Sequence, residues 1–572
     1  MSPFSFRPRR RHHPSGSARR TGRATAAALA VVTVTAVALT GCATASSAAP
    51  RPSAAALAAA TADPATGGTI RYGHQQEPAC VFGGWIEQAY LSGQVLDALV
   101  SQADDGTVVP WLADSWSTSD DGLTWTFDLK HGVEFTDGTP LTAEVVAYNI
   151  DYWVGGGNST AQVWLQGYYA SSEAVDEHTL VVHLAKPYPR LVQNFAQGYF
   201  GIQSQHALET RSAQQNCEAP IGSGPFVVDH WDRGQEIVLT RNDDYASAPA
   251  NAGHQGPAYV DRIEWQFVSD PTTRVASLRA GETDAIYDVP AVEWADLGSE
   301  GWSLQKYVTP GRPQQLAFNT AQGPFVDEQV RKAFAHSVDR RTLVETIGQG
   351  LIPYEGNGAV SRTTPGYSEQ AADAYDHDVD EANALLDAAG WTARDADGYR
   401  TKGGQRLEVT LPYNSGTIIN ADGASILQGV QQQVRETGFA LDLVPVPPSG
   451  FFAGEYSQPD ERDIAAGYWT SVNAGILQIN WRPSTEAEPN FNNAAFSDDP
   501  ELAALIERAN GTADVDAQNA LYGEAQQYIA DHALSIGLYD RLSTLAVSPL
   551  LQGVTQENSQ GGPVFHDAHF VR

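Results

Sequence analysis

Cysteine is almost absent from these 572 residues, with three in all, and there is a single methionine. Neither a Cys-x-x-Cys pair nor a His-Glu-x-x-His occurs, so no segment has the ligand spacing of a zinc site, and no metal or cofactor is expected. His74, His254 and His336 are widely dispersed along the chain. Gly-x-Ser-x-Gly is also missing, and with it the usual mark of an exposed serine nucleophile. Basic residues are scarce: 35 Lys plus Arg stand against 68 Asp plus Glu, and seven of the arginines (Arg7, Arg9, Arg10, Arg11, Arg19, Arg20 and Arg23) precede residue 41. So acidic a surface excludes nucleic acid as a partner and excludes adhesion to an anionic membrane by charge. It keeps an exported protein soluble, but scattered carboxylates do not identify a cationic ligand. The apolar run from Ala24 to Leu39 is shorter than a membrane span requires.

That run follows the arginines and ends in Leu39-Thr40-Gly41-Cys42, which resembles the bacterial lipobox. Residues 1–41 are therefore expected to be a lipoprotein signal peptide. Cys42 is expected to be the lipidated residue, because only a thiol can form the thioether. Arg19-Arg20 raises twin-arginine export, but Thr21-Gly22 fits that motif poorly, so the general route is expected. Residues 42–68 are a low-complexity Ala/Ser/Pro/Thr tract, with too little apolar surface to order itself, and should act as a flexible linker. The implied location is the outer face of the cell membrane, held by lipid. About 500 residues remain, more than one core holds, so two or three domains are expected. Cys80 and Cys217 form an even pair in an exported chain and suggest a disulfide. It would lower the entropy of the unfolded chain by an equivalent of about 5 kcal/mol at most. The alternative is two unpaired buried thiols.

The stretch from Pro110 to Ile150 carries the most information. Trp125, Phe127 and Leu129 alternate with Thr124, Thr126, Asp128 and Lys130, which places three large apolar side chains on one face of a strand. Asp120-Asp121-Gly122 and Asp137-Gly138 supply the bounding turns. Thr142, three residues before Val145 and just ahead of Glu144, is an N-cap opening a helix. Trp111 to Val145 resembles, nearly position for position, the segment P-x-L-A-x-S-W … D-G-x-x-(W/Y)-x-F-x-L-(R/K)-x-G-V-x-F-x-D-G-x-P-(L/F)-(T/D)-A-x-D-V of the family 5 solute-binding proteins of ABC importers. That class contains the oligopeptide, dipeptide and nickel binders; Glu144 stands where Asp is frequent. Pro220-Ile221-Gly222-Ser223-Gly224-Pro225-Phe226 resembles a second family marker. A phosphate loop is the competing reading, but the Lys-Ser/Thr that would meet a phosphate is missing and Pro225-Phe226 starts a strand. The glycines read as permitting a sharp backbone turn.

The resemblance implies an α/β fold of the periplasmic-binding-protein type II, with two lobes of α/β sheets, a hinge and an extra domain. On it, residues 69–107 and 220–308 form parts of lobe I, 108–219 the extra domain, 309–535 lobe II and 536–572 the C-terminal part of lobe I, with the chain crossing between lobes near 305–315. The residues agree with alternating strands and helices. Asp270–Asp288 gives a helix ending at Gly281 and then a strand, and Leu316–Thr320 is a strand. Asp327–Arg340 gives a helix with Val330, Phe334 and Val338 at steps of four. Asp376–Glu381 tempts toward a calcium loop, but Glu381 stands where glycine is needed, so an acidic helix N-terminus is expected. Asp397-Gly398 turns a hairpin, and the helix through Ile426, Val430 and Val434 closes at Gly438 before the strand Ala440–Val444.

Ligands of the family lie between the closing lobes. The resemblance therefore implies contacts from Phe82 and Trp85 after the first strand, Tyr413-Asn414, Tyr468-Trp469, Ser471 and Asn473 after later strands, and Trp481-Arg482. Aromatic rings would cover apolar ligand surface, Asn and Ser would orient it, and Arg482 could pair with a carboxylate. Peptide-binding relatives place an acid after this segment to meet the ligand's amino terminus. Thr470 to Ile476 holds neither Asp nor Glu, and a buried ammonium without a counter-charge is costly. The expected function is a monomeric, lipid-anchored receptor that performs no chemistry. It captures a peptide-like or other small amphiphilic solute and passes it to ABC permease subunits. The alternatives are an exported hydrolase of peptides or glycans, and a receptor feeding a sensor.

Overall fold

The computed structural model describes residues 64–354, 356, 358–485 and 490–571. The expected signal peptide, Cys42 and the first part of the linker lie outside the described residues. The strand Thr69–His74 occupies the middle of a seven-stranded sheet, parallel to Arg262–Phe267 on one side and to Ala285–Tyr287 on the other. Its burial alternates: Ile70, Tyr72 and His74 share a buried face, while Thr69 and Arg71 on the other face are half-buried. The outer strands are antiparallel: Glu236–Arg241 and Phe226–Asp232 complete one edge, Leu542–Val547 and Ser303–Val308 the other.

A second sheet sets Gly311–Phe318 between Ile464–Thr470 and Ser535–Tyr539, all antiparallel. Beside it, Glu408–Asn414 and Ala440–Val446 run parallel, joined by the helix Ala421–Thr437. Ile426, Val430 and Val434 face its core, and Gly438 ends the helix at φ 105°. Two backbone-directed bonds stitch these strands together: Thr410 N donates to Asp463 Oδ2 at 2.8 Å, and Asp463 N to the Thr410 carbonyl at 3.0 Å. The chain passes between the two large sheets at Thr309-Pro310 and returns at Asp540-Arg541. Ser535–Tyr539 still pairs with Gly311–Phe318, so the return comes after 536, where the sequence reading put it. The crossings are bonded to each other, since both the N–H and the hydroxyl of Thr309 donate to the Arg541 carbonyl at 3.0 Å.

A third sheet, antiparallel in the order Ala113–Thr118, Thr124–Leu129, Thr179–Leu184, Tyr169–Ala174, stands apart from the other two. Trp125, Phe127 and Leu129 form its buried face. Thr142 Oγ1 accepts from Val145 N at 3.3 Å and opens the helix Ala143–Tyr152. Cys80 and Cys217 are joined in a disulfide that ties the loop after the first strand to the helix Ala213–Glu218.

Two local readings are corrected. The helix expected over Asp327–Arg340 stops at His336, because Asp339 caps a second helix, Arg340–Ile347, by accepting from Thr342 N at 3.0 Å. Aspartate competes for backbone donors inside a helix and gains from them at its start. Gly222 and Gly224 do not have positive φ. They are needed for close approach: a Cβ at Gly222 would lie 2.2 Å from the Val95 carbonyl oxygen, and one at Gly224 2.5 Å from the Val95 carbonyl carbon. That contact lets Gly224 N donate to Val95 O, and Phe226 N to Gln94 O, both at 3.0 Å. The acidic run at 376–381 is a cap, with Asp378 accepting from Glu381 N at 2.9 Å.

Candidate functional site

Two cavities lie between the large sheets and meet at Ile418 and Tyr468. The first has an empty volume of 540 Å³ and is lined from one side by Gln75, Tyr287 and Asp288, and from the other by Gln314, Thr417 and Asn420. Its polar groups bond to one another across the gap. Asn420 Nδ2 donates to Asp288 Oδ1 at 2.9 Å, the Ala291 N–H donates to Asp422 Oδ2 at 3.1 Å, and Thr417 Oγ1 donates to Gln76. Asp288 is itself held by Arg274 Nη2 at 3.0 Å and adopts φ 55°. Burial pushes the Asp422 carboxyl up, partly offset by its backbone donor, and neighbouring Asp288 adds to the rise.

Arg541 stands at the return crossing. Its guanidinium donates to Tyr90 Oη at 3.2 Å and Tyr287 Oη at 2.6 Å and lies 4.4 Å above the ring of Tyr468. His74, stacked on Tyr287 at 4.9 Å, shares a hydrogen bond with Tyr72 Oη at 3.0 Å. Burial, then the charges of Arg274 and Arg541, hold its ring well below the ordinary histidine range.

The second cavity is larger, with an empty volume of about 880 Å³ that includes open solvent. Its walls are Trp85, Phe451, Tyr456, Tyr468, Trp469 and Phe491. Two arginines face it. Arg312 donates to the Tyr468 carbonyl at 3.3 Å and forms no ion pair with a described residue; its Nε is buried without a partner. Burial brings its guanidinium down to about 10, and it remains charged at neutral pH. Arg462 donates to the carbonyls of Tyr456 at 2.7 Å and Ala494 at 3.3 Å, and burial likewise brings it to about 10. The exposed Glu455 is the one carboxylate among the described lining residues. Gln315 Oε1 is also buried without a partner. An aromatic box with surplus positive charge is suited to an anion carrying an apolar body.

Of the residues singled out from sequence, Trp85, Tyr468 and Trp469 reach this cavity. Phe82 and Trp481 are core residues, and Tyr413 belongs to the core under the second sheet. Asn414 closes a tight loop, its Oδ1 accepting from Ile418 N at 3.1 Å. Ser471 donates to the Asn473 carbonyl at 2.7 Å, and Asn473 reaches Asn194 of the third-sheet region at 3.1 Å. Arg482 extends to Gln166 at 3.4 Å, away from either cavity. Arg312, Gln315 and Arg462 were missed. A usable signal existed: Gln314 and Gln315 are polar side chains in a strand that is buried from Pro313 onward, where polar side chains need a reason. Val472, buried within the run lacking acids, occupies the region where an ammonium partner was sought.

Residues 107–500 match the model of a family described as bacterial extracellular solute-binding proteins, family 5 Middle. The nickel-binding periplasmic protein of Escherichia coli strain K12 is 25% identical over 470 residues, which cover 81% of this chain and 86% of that protein. The glutathione-binding protein GsiB of Salmonella choleraesuis strain SC-B67 is 26% identical over 427 residues, 73% of this chain and 78% of that protein. The oligopeptide-binding protein AppA from Bacillus subtilis, solved with a nonapeptide, superposes with a TM-score of 0.76 at 21% identity, covering 89% of this chain and all of that one. The shared fold is the α/β, two-lobed type II periplasmic-binding-protein fold.

Proposed function

The chain belongs to the bacterial extracellular solute-binding proteins of family 5, and from that membership we propose that it is the lipid-anchored substrate-binding component of an ABC importer. It closes two lobes over a small amphiphilic solute, peptide-like or otherwise, and delivers it unchanged to the membrane permease. In this reading residues 1–41 are removed, Cys42 carries the lipid, and 42–68 tether a monomer to the outer face of the membrane. Lobe I comprises 69–107, 220–308 and the C-terminal segment, lobe II begins at 309, and 108–219 is the extra domain.

The protein is not an enzyme. The carboxylates of the first cavity, Asp288 and Asp422, are engaged in holding the lobes together and are not free to act as an acid–base pair. Arg312 carries the reading of the cargo: a half-buried cation among aromatic rings, without an ionic partner among the described residues, where the one described carboxylate of the lining, Glu455, is exposed. The solute is therefore a carboxylate or similar anion with an apolar body, bound by Arg312 and Arg462 and stacked on Trp85, Tyr468 and Trp469. Ligand stabilises the closed lobes by binding them better than the open ones.

The test is to release small molecules from purified protein, identify them by mass spectrometry, and titrate each acid alongside its amide. The acid should raise the unfolding temperature and the amide should not. A co-purified solute that bears an ammonium and no acid would refute this choice of cargo.

A further inference from the structure

Residues 108–219, the extra domain of the reading above, touch both large sheets, and the two joints are made differently. Toward the first sheet the joint is covalent and backbone-bonded. Cys217 is disulfide-bonded to Cys80, and its carbonyl accepts from Val81 N at 2.8 Å. Ala113 N donates to the Leu99 carbonyl at 2.8 Å, Thr136 N to that of Gly222 at 2.9 Å and Ile202 N to that of Asp97 at 2.8 Å. The other joint meets the helices Pro500–Gly511 and Val515–Asp531, which lead into Ser535–Tyr539 of the second sheet, and there the bonds run from side chain to side chain. Lys186 Nζ donates to Glu507 Oε1 at 2.6 Å. Arg190 donates through Nε to Gln518 Oε1 and through Nη2 to Asn519 Oδ1 at 3.1 Å. Asn510 Nδ2 donates to Tyr168 Oη at 2.8 Å, and Tyr199 Oη shares a hydrogen bond with Thr470 Oγ1 at 3.2 Å.

A disulfide with backbone bonds makes a permanent joint. Side-chain bonds make a separable one, because water replaces each partner when the faces part. Arg190 is the clearest case. It is only 8% exposed, and the oxygens that meet it among the described residues are amides, not carboxylates. Burial draws its guanidinium below the ordinary arginine range. The contact holds, but its charge regains water on opening, which keeps the joint weaker than an ion pair would make it. Because the extra domain is fixed to the first sheet, a swing of the second sheet about Thr309-Pro310 and Asp540-Arg541 has to part or slide this contact.

We propose that the extra domain is a latch: Arg190 on Gln518 and Asn519, with Lys186 on Glu507, holds the second lobe, so that residues outside both cavities set how often the lobes open. This rests on the two-lobed clamp proposed above and gives residues 108–219 a task in it, since a solute leaves only when the latch parts. Arg190 is a positioning residue and touches no solute. Substitutions at this joint move the opening rate in either direction. Arg190→Gln removes the charged donor. Asn519→Asp keeps the shape of the acceptor and gives Arg190 a carboxylate, which strengthens the bond. No local pattern announces the latch, because Arg190 and Gln518 lie 328 positions apart.

The test follows hydrogen exchange by mass spectrometry at the Ala291 amide, which is bonded to Asp422 across the first cavity and is released when the lobes part. It uses the full-length lipoprotein in detergent with no solute added. Exchange at Ala291 should run about tenfold faster in Arg190→Gln and about fivefold slower in Asn519→Asp. Amides inside each sheet, such as those of Tyr72 and Leu411, should keep their wild-type rates. Should Arg190→Gln fail to fold, Lys186→Gln, at a half-exposed pair, takes its place with an acceleration of about threefold. Rates at Ala291 that do not change, that shift the same way in both kinds of variant, or that rise together with those of Tyr72 would overturn the latch. In the wild type Ala291 should be less protected than Tyr72. Equal protection would mean that the lobes do not part short of unfolding, and would refute the clamp and the latch with it.

Discussion

Arg541 and Arg312 both touch Tyr468, and their surroundings differ in kind. Arg541 meets two phenol oxygens and the face of the Tyr468 ring, so its charge is spent inside the protein. Arg312 meets the Tyr468 carbonyl and then an aromatic cavity. Desolvating a guanidinium is expensive, and a fold tolerates it where the charge is answered. At Arg541 the answer is a set of tyrosines that stabilise the lobe crossing. At Arg312 no described carboxylate answers it, and in the proposed reading the solute does.

The widest gap between the two should show in stability. Arg541→Ala leaves the hydroxyls of Tyr90 and Tyr287 without their charged donor and should cost about 3 kcal/mol, read from urea unfolding. A loss below about 1 kcal/mol would mean that the phenols do not depend on it. Arg312→Gln should do the reverse. It should change the stability of the ligand-free protein by no more than about 0.5 kcal/mol, yet weaken an anionic solute by about 10- to 100-fold in calorimetric titration. Equal effects from the two variants would break the contrast.

His74 sharpens the Arg541 side. Its folded-state ring stays neutral where the unfolded chain takes up a proton, so stability falls as pH drops below about 6.5, by up to about 1.4 kcal/mol per pH unit for this one group. His74→Gln should flatten that slope in unfolding curves taken between about pH 6.5 and 5.5. The smallest effect is expected at the seam. Asn420→Ala removes one bond to Asp288 across the first cavity, about 1 kcal/mol, and should lower solute affinity about fivefold by depopulating the closed form. Affinity unchanged in that variant would show that the bond does not favour closure.

The elements legible in the sequence were those whose cause is local. Alternation at Trp125, Phe127 and Leu129, the Thr142 cap and the left-handed Gly438 are each dictated within a few residues, and the structure has them all. The helix over 327–340 was read too long because periodicity at Val330, Phe334 and Val338 outweighed the cap at Asp339. The cavity was only partly legible. Trp85, Tyr468 and Trp469 stand out as large rings after strands, but so do Phe82, Tyr413 and Trp481, which are core. Which way such a ring faces depends on partners hundreds of positions distant, and sequence pattern does not carry that. Arg312 and Arg462 were not singled out for the same reason: a charged residue in or beside a strand reads as solvated until distant segments such as Tyr468 and Ala494 pack over it.

The bonds from Thr309 to the Arg541 carbonyl fuse the two inter-lobe strands into one ribbon. Sliding or shearing of one lobe past the other would tear them, whereas swinging about the ribbon leaves them intact. Among the described residues these bonds act as a pin between the crossings, about which the lobes can turn without breaking either one.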